Sequence, residues 1–462
     1  MNLLLLLSAA HASPISAPAT IGAPDSGPAT ADPAAMHYNP AAIGGSDGFD
    51  ALADVQVSFI DVTFTPTRND GIDPNTGEKY IPAEAHAIVP VGLLGVTWKP
   101  LKWGAVGLAA TDSFVGGGDY SGQETDPPPY TGAQRYAGVT SKVITLAVIP
   151  GIAITPVDGF HVGGGFAYVY DNVTILKVSD PLGNEGLGFT GTPYEYDVVL
   201  DASGTGSHTT WNAGIFVDRW KFLQVGASYT AGGQFSAEGE ATVTAPDALA
   251  EGDGSVSIPG KFTFDMPLPA VIRAGAVSEI NDKLKVGATI EYYMWKDCCG
   301  GASGDAYITL NSEDGDPVGP EDGLSIEVND EIYSPRRLWD SMVVSANGGY
   351  WIVPSVWVGG RVGYKQYAVP DYAVSATNLD FDAYGVSLAA RYRIAQKFSI
   401  GLAYTKNFLV DRTVTNSAWD ADPESDDYVD DRFTTELPYN ASSNGTYSAQ
   451  SNILGVRLQL DL

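Results

Sequence analysis

Between Leu284 and Trp295 the chain alternates strictly between two kinds of residue. Leu284, Val286, Ala288, Ile290, Tyr292 and Met294 form one set, and Lys285, Gly287, Thr289, Glu291, Tyr293 and Trp295 the other. A period of two places the sets on opposite faces of a strand, one apolar and one polar or small. The pattern returns in Val356, Val358, Val362 and Tyr364 opposite Arg361 and Lys365. It recurs in Tyr384, Val386, Leu388, Ala390 and Tyr392 opposite Ser387, Arg391 and Arg393, and again in Leu454, Val456, Leu458, Leu460 and Leu462. Strands are predicted near Asp54–Thr65, His86–Lys99, Lys102–Phe114, Arg135–Thr155, Gly159–Val178, Ser207–Arg219 and Lys221–Thr230. The others fall near Phe262–Ile280, Lys283–Trp295, Trp339–Val353, Ser355–Tyr367, Asp382–Ile394, Lys397–Val410 and Thr446–Leu462. That makes about fourteen, an even number as in bacterial membrane barrels.

The connections sort by parity. Short turns at Thr155–Gly159, Asp218–Lys221, Val353–Ser355 and Ile394–Lys397 alternate with long stretches at Val115–Gln134, Ser179–Gly206, Ala231–Lys261, Lys296–Leu338 and Asp411–Gly445. Short periplasmic turns and long outer loops characterise an outer-membrane barrel, whereas a soluble sandwich has no reason to sort its connections this way. An even strand count also puts both ends of the wall on the short-turn side. Charge follows: Lys99, Lys102, Arg219, Lys221, Lys283, Lys285 and Lys397 lie near short turns. Acids crowd the long loops at Glu313, Asp314, Asp316, Glu321 and Asp322, and from Asp420 to Asp431. Trp98, Trp103, Trp220, Trp351 and Trp357 stand beside short turns as an interfacial girdle would, although strict alternation points Trp357 inward. The fold class is therefore all-β: a transmembrane antiparallel β-barrel of about fourteen strands.

Composition agrees. With 25 basic and 55 acidic residues the formal charge is −30, which excludes a nucleic-acid partner. Charged residues are only 17% of the chain, and no run approaches the ~18 apolar residues of a membrane helix. The opening MNLLLLLSAAHAS has a leucine core and Ala10-His11-Ala12, so residues 1–12 are expected to be a secretory signal peptide. The only cysteines, Cys298 and Cys299, are adjacent. Neighbours are awkward for disulfide geometry, so two loop thiols without a role are the simpler expectation and a vicinal disulfide the other.

Catalytic spacing is missing. The five histidines, His11, His37, His86, His161 and His208, show no paired-ligand spacing, and there is no nucleophile elbow or phosphate loop. No enzyme activity, cofactor or metal is expected. The acids between Asp420 and Asp431 lack the glycine and closing glutamate of a calcium loop, and read as a solvated loop. Contact of acidic loops with lipopolysaccharide through divalent ions is the other reading. Inward-phase charges are more informative: Arg273, Glu291, Arg361, Lys365, Arg391 and Arg393. They serve either as polar lining with ion pairs between strands or as arginines that meet a carboxylate headgroup low in a substrate path.

Asp32–Gly44 reads DPAAMHYNPAAIG, with Asn39-Pro40-Ala41 close behind an alanine-rich stretch. This resembles the N-terminal hatch of the FadL family, outer-membrane transporters of long-chain fatty acids and other hydrophobic molecules. Pro150–Ile154 with Gly159–Tyr170, Trp211–Tyr229, Met266–Pro269, Asp282–Trp295, Tyr350–Tyr367 and Tyr384–Tyr404 are similar to later family segments. The resemblance implies a hatch at residues 13–50 and a barrel at 51–462 with long outer loops, as a multi-pass monomer of the bacterial outer membrane. It implies passive, hatch-gated diffusion of a hydrophobic ligand, with Asn39, Pro40, Ala41 and Ala42 as the gate. Exit would be sideways through a kink in the third strand, within Lys102–Phe114. Gly104 and Gly107 would ease the distortion there, and Asp112 interrupts the apolar pattern. Arg273, Glu291, Arg361, Arg391 and Arg393 would line the path. A general diffusion porin, or a surface structural or adhesive barrel with functional acidic loops, are the alternatives.

Overall fold

The computed structural model describes residues 25–66, 82–121, 134–135, 137–179, 197–220, 222–250, 254–300, 306–312, 318–324, 331–334, 336–395, 397–417 and 443–462. Residues 1–12 and the Asp420–Asp431 cluster, with the expectations placed on them, lie outside this set.

Among the described residues nineteen strands form one antiparallel sheet. They are β1 Gly48–Pro66, β2 Ala83–Leu101, β3 Gly104–Asp119, β4 Thr140–Val157, β5 Phe160–Ser179, β6 Val198–Trp220 and β7 Leu223–Thr230. There follow β8 Gly233–Ala245, β9 Val256–Leu268, β10 Ala270–Glu279, β11 Leu284–Met294, β12 Ala306–Ser312 and β13 Glu331–Ser334. The last are β14 Ser341–Val353, β15 Val356–Lys365, β16 Ala383–Ala395, β17 Phe398–Leu409, β18 Arg412–Val414 and β19 Gly445–Asp461. All but β8, β9, β12, β13 and β18 form a wall of fourteen strands. The wall closes where β1 pairs with β19, from Asp50↔Asp461 to Pro66↔Gly445. Closure leaves neither the first nor the last strand as a free edge for lipid to meet, which is what allows strands to span a bilayer.

Length explains the remaining strands. A tilted strand crosses the membrane in roughly 9–11 residues, and β6 has 23. Its lower part pairs with β7, from Asn212↔Thr230 downward, and its upper part with β8, from Val199↔Thr244 to Thr205↔Glu238. From β8 the sheet continues through β9 and β12 to β13, an extension on the long-loop side. Phe235, Phe262, Phe264, Ile308 and Leu310 form its apolar core. The sequence expectation of one strand over Phe262–Ile280 is corrected here. Pro269, which has no N–H for a ladder, separates β9 in the extension from β10 in the wall.

The alternation has the expected orientation. Leu94, Leu108, Ile152, Val362, Leu388 and Leu402 are exposed on the outer face, with Trp98, Trp103 and Trp220 beside the short turns. Trp351 departs from the expected girdle. It pairs directly with Trp357, so both rings share the inner face, where Trp357 is buried.

The lumen is filled at two levels. Below lies the segment 25–47, with α1 (Ala35–Tyr38) and a 3₁₀ turn over Pro40–Gly45. Above lies the connection between β15 and β16, where Ala368, Val369, Ala373, Val374, Ser375 and Phe381 are fully buried. This connection crosses to the far wall: Thr377 donates to the Ala137 carbonyl at 3.0 Å, and the Tyr120 hydroxyl donates to the Ala376 carbonyl at 3.3 Å.

Candidate functional site

Asn39 organises the lower filling. Its extended backbone ends α1, and its Oδ1 accepts from the Ala41 amide at 3.2 Å while Pro40 starts the next turn. Asparagine caps and proline at a first helical position suit this reversal. Asn39 Nδ2 donates to the Pro28 carbonyl at 2.8 Å and to the Ile215 carbonyl of β6 at 2.9 Å. The wall reaches back. Asn212 donates to the Met36 carbonyl at 2.8 Å, Ser228 to the Tyr38 carbonyl at 2.5 Å, and Lys99 to the Gly44 carbonyl at 2.6 Å. Gly163 is needed for the fit, because a Cβ there would lie 2.6 Å from the Ala41 backbone. Asn39, Pro40, Ala41 and Ala42 are all buried, and the run DPAAMHYNPAAIG is therefore a docked insert. Gly48, at φ 73°, turns the chain from the insert into β1.

Inward charges clamp the insert's other side. Arg457, 2% exposed, donates to Asp32 at 3.0 Å and to Ser26 Oγ at 3.1 Å, with its Nε 3.4 Å from Asp54. Arg391 meets Asp25 at 3.0 Å and lies over the Trp357 ring, while Arg361 donates to the Ser26 carbonyl. Burial alone would raise the Asp25 carboxyl, but Arg391 and then Arg457 outweigh it and hold it below its usual value. For Asp32 burial prevails over Arg457, and the carboxyl is raised. Two of the five residues assigned to a substrate path, Arg361 and Arg391, thus contact the insert. Arg393 is exposed at the lower rim over Trp351.

Arg273 and Glu291 come together higher up, across β10 and β11, at 3.0 Å. Arg273 also donates to Thr230 Oγ1 at 2.9 Å, and the Tyr293 hydroxyl donates to Glu291 at 3.2 Å. Arg273, Thr230 and Tyr293, with Glu291 behind them, border a cavity of about 110 Å³ above His37, with Ile149, Val169, Leu268 and Val271 among its apolar walls. Burial first, then the Arg273 charge, holds the His37 imidazole well below its usual value, so it faces the cavity neutral. His208 also lines the cavity and pairs with buried Asp171 at 2.7 Å. Sequence reading missed Asp171, His208, Asp32 and Arg457. Inward strand phase was the available signal for Asp171, His208 and Arg457, while Asp32 had none.

The third strand carries its own extra residue next to Asp112, whereas the register shift beside Gly104 puts the extra residue on β2. Gly104 pairs with Leu101 and Gly107 with Thr97, and Gly107 faces Met36 of the insert. Pairing between β2 and β3 stops at Leu93↔Thr111. Against β4 the register jumps from Asp112↔Leu146 to Phe114↔Thr145, a bulge with one extra residue. Side chains stand in for the lost ladder: Asp112 accepts from the Gly92 amide at 2.7 Å, and the Thr111 hydroxyl donates to the Gly92 carbonyl at 3.0 Å. Thr111 pairs with Ala147, a cavity residue, so bulge and cavity stand at one height.

Cys298 and Cys299 form a disulfide, in contrast to the simpler expectation of two thiols. They end α2 (Trp295–Cys299), whose Trp295 lines the cavity. Among the described residues no cluster of His, Cys, Asp and Glu could hold a metal ion.

A family model described as an outer membrane protein transport protein (OMPP1/FadL/TodX) matches residues 15–458. A Pseudomonas aeruginosa FadL homologue superposes with a TM-score of 0.70 at 15% identity over 99% of each chain. The P. putida toluene transporter TodX gives 0.66 at 15%, over 93% of this chain and 94% of its own. The Ralstonia pickettii toluene transporter TbuX gives 0.61 at 16%, over 95% and 96%. No curated protein sequence matches.

Proposed function

Because this chain belongs to the OMPP1/FadL/TodX family of outer membrane transport proteins, we propose that it passes hydrophobic small molecules through a gated lumen and out sideways into the bilayer. The family comprises transport channels and not enzymes, so the question is one of cargo and route. The cargo would rest in the cavity above His37, and a shift of Asn39–Ala42 would release it. It would leave between β2 and β3 at Asp112. The class is apolar compounds of the size of toluene, which TodX and TbuX are named for, up to fatty acids.

The observation that carries this reading is the break in β2–β3 pairing at cavity height. There the wall is held by two side-chain bonds to Gly92 where a ladder would otherwise run. Sideways release is favoured physically, since an apolar solute avoids water at about 0.8 kcal/mol per CH₂. A general diffusion porin fits less well, because both levels of the lumen are occupied by buried chain. The test is deletion of Ser113, which removes the bulge and restores continuous register. Toluene uptake by proteoliposomes is expected to fall at least tenfold while equilibrium binding stays. Undiminished uptake would refute the sideways route.

A further inference from the structure

One pair in the lumen has no part in the passage just described. The Asp171 side chain is fully buried and takes a hydrogen bond from His208 Nδ1 at 2.7 Å. With the carboxylate as the acceptor of this bond, Nδ1 carries the hydrogen and Nε2 is the nitrogen left to the cavity. Among the described residues Nε2 has no hydrogen-bonding partner. Arg273 is engaged with Glu291 and Thr230, and Tyr293 with Glu291, whereas Trp295 Nε1 and Asn212 Oδ1, also in the lining, are buried without a hydrogen-bonding partner among the described residues. The cavity therefore offers a small, mostly apolar volume with several open polar positions, of which His208 Nε2 is the one oriented from behind by a buried acid.

We infer that this cavity is a subsite for compact neutral phenols and aromatic alcohols, whose hydroxyl bonds His208 Nε2. The inference rests on the transport reading and names the cargo of the same site. A hydroxyl serves His208 in either form: it donates to the neutral ring and accepts from the charged one. A plain hydrocarbon does neither and leaves a desolvated nitrogen unpaired, which disfavours it by on the order of tenfold in affinity. A carboxylate is disfavoured for another reason. Among the described residues the guanidinium lining the cavity is that of Arg273, already committed to Glu291, and a second acid, Asp171, stands behind His208. The volume of about 110 Å³ suits one ring better than a long chain, since apolar cavities of roughly 150 Å³ hold benzene.

The test is equilibrium binding to the full chain in lipid nanodiscs, with empty nanodiscs as the background. The probes are p-cresol, toluene and 4-methylbenzoate, which share a ring and differ in the head group. Wild type is expected to bind p-cresol about tenfold more tightly than toluene, and 4-methylbenzoate weakest. His208→Phe should abolish the tenfold preference for cresol over toluene. His208→Gln keeps a hydrogen-bonding head and should retain part of the preference, which a merely structural histidine would not predict. Equal affinities for cresol and toluene in wild type overturn the inference, as does a preference that survives His208→Phe or the lack of saturable binding by any probe. Loss of uptake with the cresol preference intact would count against the transport route alone.

Discussion

Replacing Asn39 by alanine should loosen the insert without touching the wall. Asn39 is fully buried and makes three hydrogen bonds, to the Pro28 carbonyl at 2.8 Å, the Ile215 carbonyl at 2.9 Å and the Ala41 amide at 3.2 Å. Each is worth about 0.5–1.5 kcal/mol net, and the partners left behind cannot reach water. The Ala41 bond also caps the turn that Pro40 opens, a position where alanine costs about 1 kcal/mol. Because that bond is shared between the two accounts, the loss is about 2–3 kcal/mol for an insert that undocks and unravels together, the Ile215 bond being the part that crosses to the wall. At 1.4 kcal/mol per tenfold, 2 kcal/mol makes the undocked state about 30-fold more populated. Amide hydrogen exchange reads this directly. Peptides covering residues 33–46 should exchange about 30-fold faster in Asn39→Ala, while peptides from β16 and β17 keep their rates. Exchange of the insert within threefold of wild type would show that Asn39 does not hold it, and the gate at Asn39–Ala42 would lose its basis.

Arg457→Leu leaves Asp32 and Asp54 buried without their cation, a loss of about 3–5 kcal/mol by the usual cost of breaking a buried pair. Protease should then cut within residues 25–47 of the folded barrel, and an uncut insert would contradict the clamp. Asp112→Ala removes the bond to the Gly92 amide, worth about 1.5–3 kcal/mol for a charged acceptor. Toluene uptake should rise at least threefold as β2 and β3 part more easily, and an unchanged rate would argue against this gap as the exit. Acid should act on docking through Asp25 and Asp32 in opposite senses. The Asp25 carboxyl lies below 3.8, so its contribution is complete above pH 3.8 and fades as pH falls through the depressed value. The Asp32 carboxyl lies above 3.8, so its contribution is complete below that pH and fades as pH rises through the raised value. In Asp32→Asn the Asp32 dependence is gone, and protection of the insert, taken relative to intrinsic amide exchange at each pH, should fall below pH 3.8 as Asp25 takes up its proton.

The wall was legible in the sequence because a barrel writes its geometry into the chain at every second residue. Leu388 and Leu402 must meet lipid, and Ser387 and Arg391 must not, so the register of β16 against β17 is fixed locally. The extension was less legible. β8 and β9 alternate like wall strands, and only Pro269 marks where the chain leaves the extension for the wall. Trp351 shows the limit of a girdle read from composition, since its pairing with Trp357 sets its face and its proximity to a turn does not.

The site was legible only in part, because its meaning lies in partners far apart along the chain. Phase placed Arg361 and Arg391 inward, but a headgroup and an acid on the insert make equal use of an inward arginine. Only the docked position of Asp25 and Ser26 distinguishes them. Arg273 differs from those two because its acid, Glu291, is supplied by the neighbouring strand, so the pair exists without the insert and can border a space. The same distinction separates His208 from the other lumen polar groups. Asn212 and Ser228 spend their donors on insert carbonyls, whereas Asp171 spends its acceptor on holding His208 still. A wall residue bonded to the insert is a latch, and one bonded to its own wall with a free atom facing the cavity is available to cargo. By that rule a shift of the insert would leave the His208–Asp171 pair in place, as a gate lying below a ligand site requires.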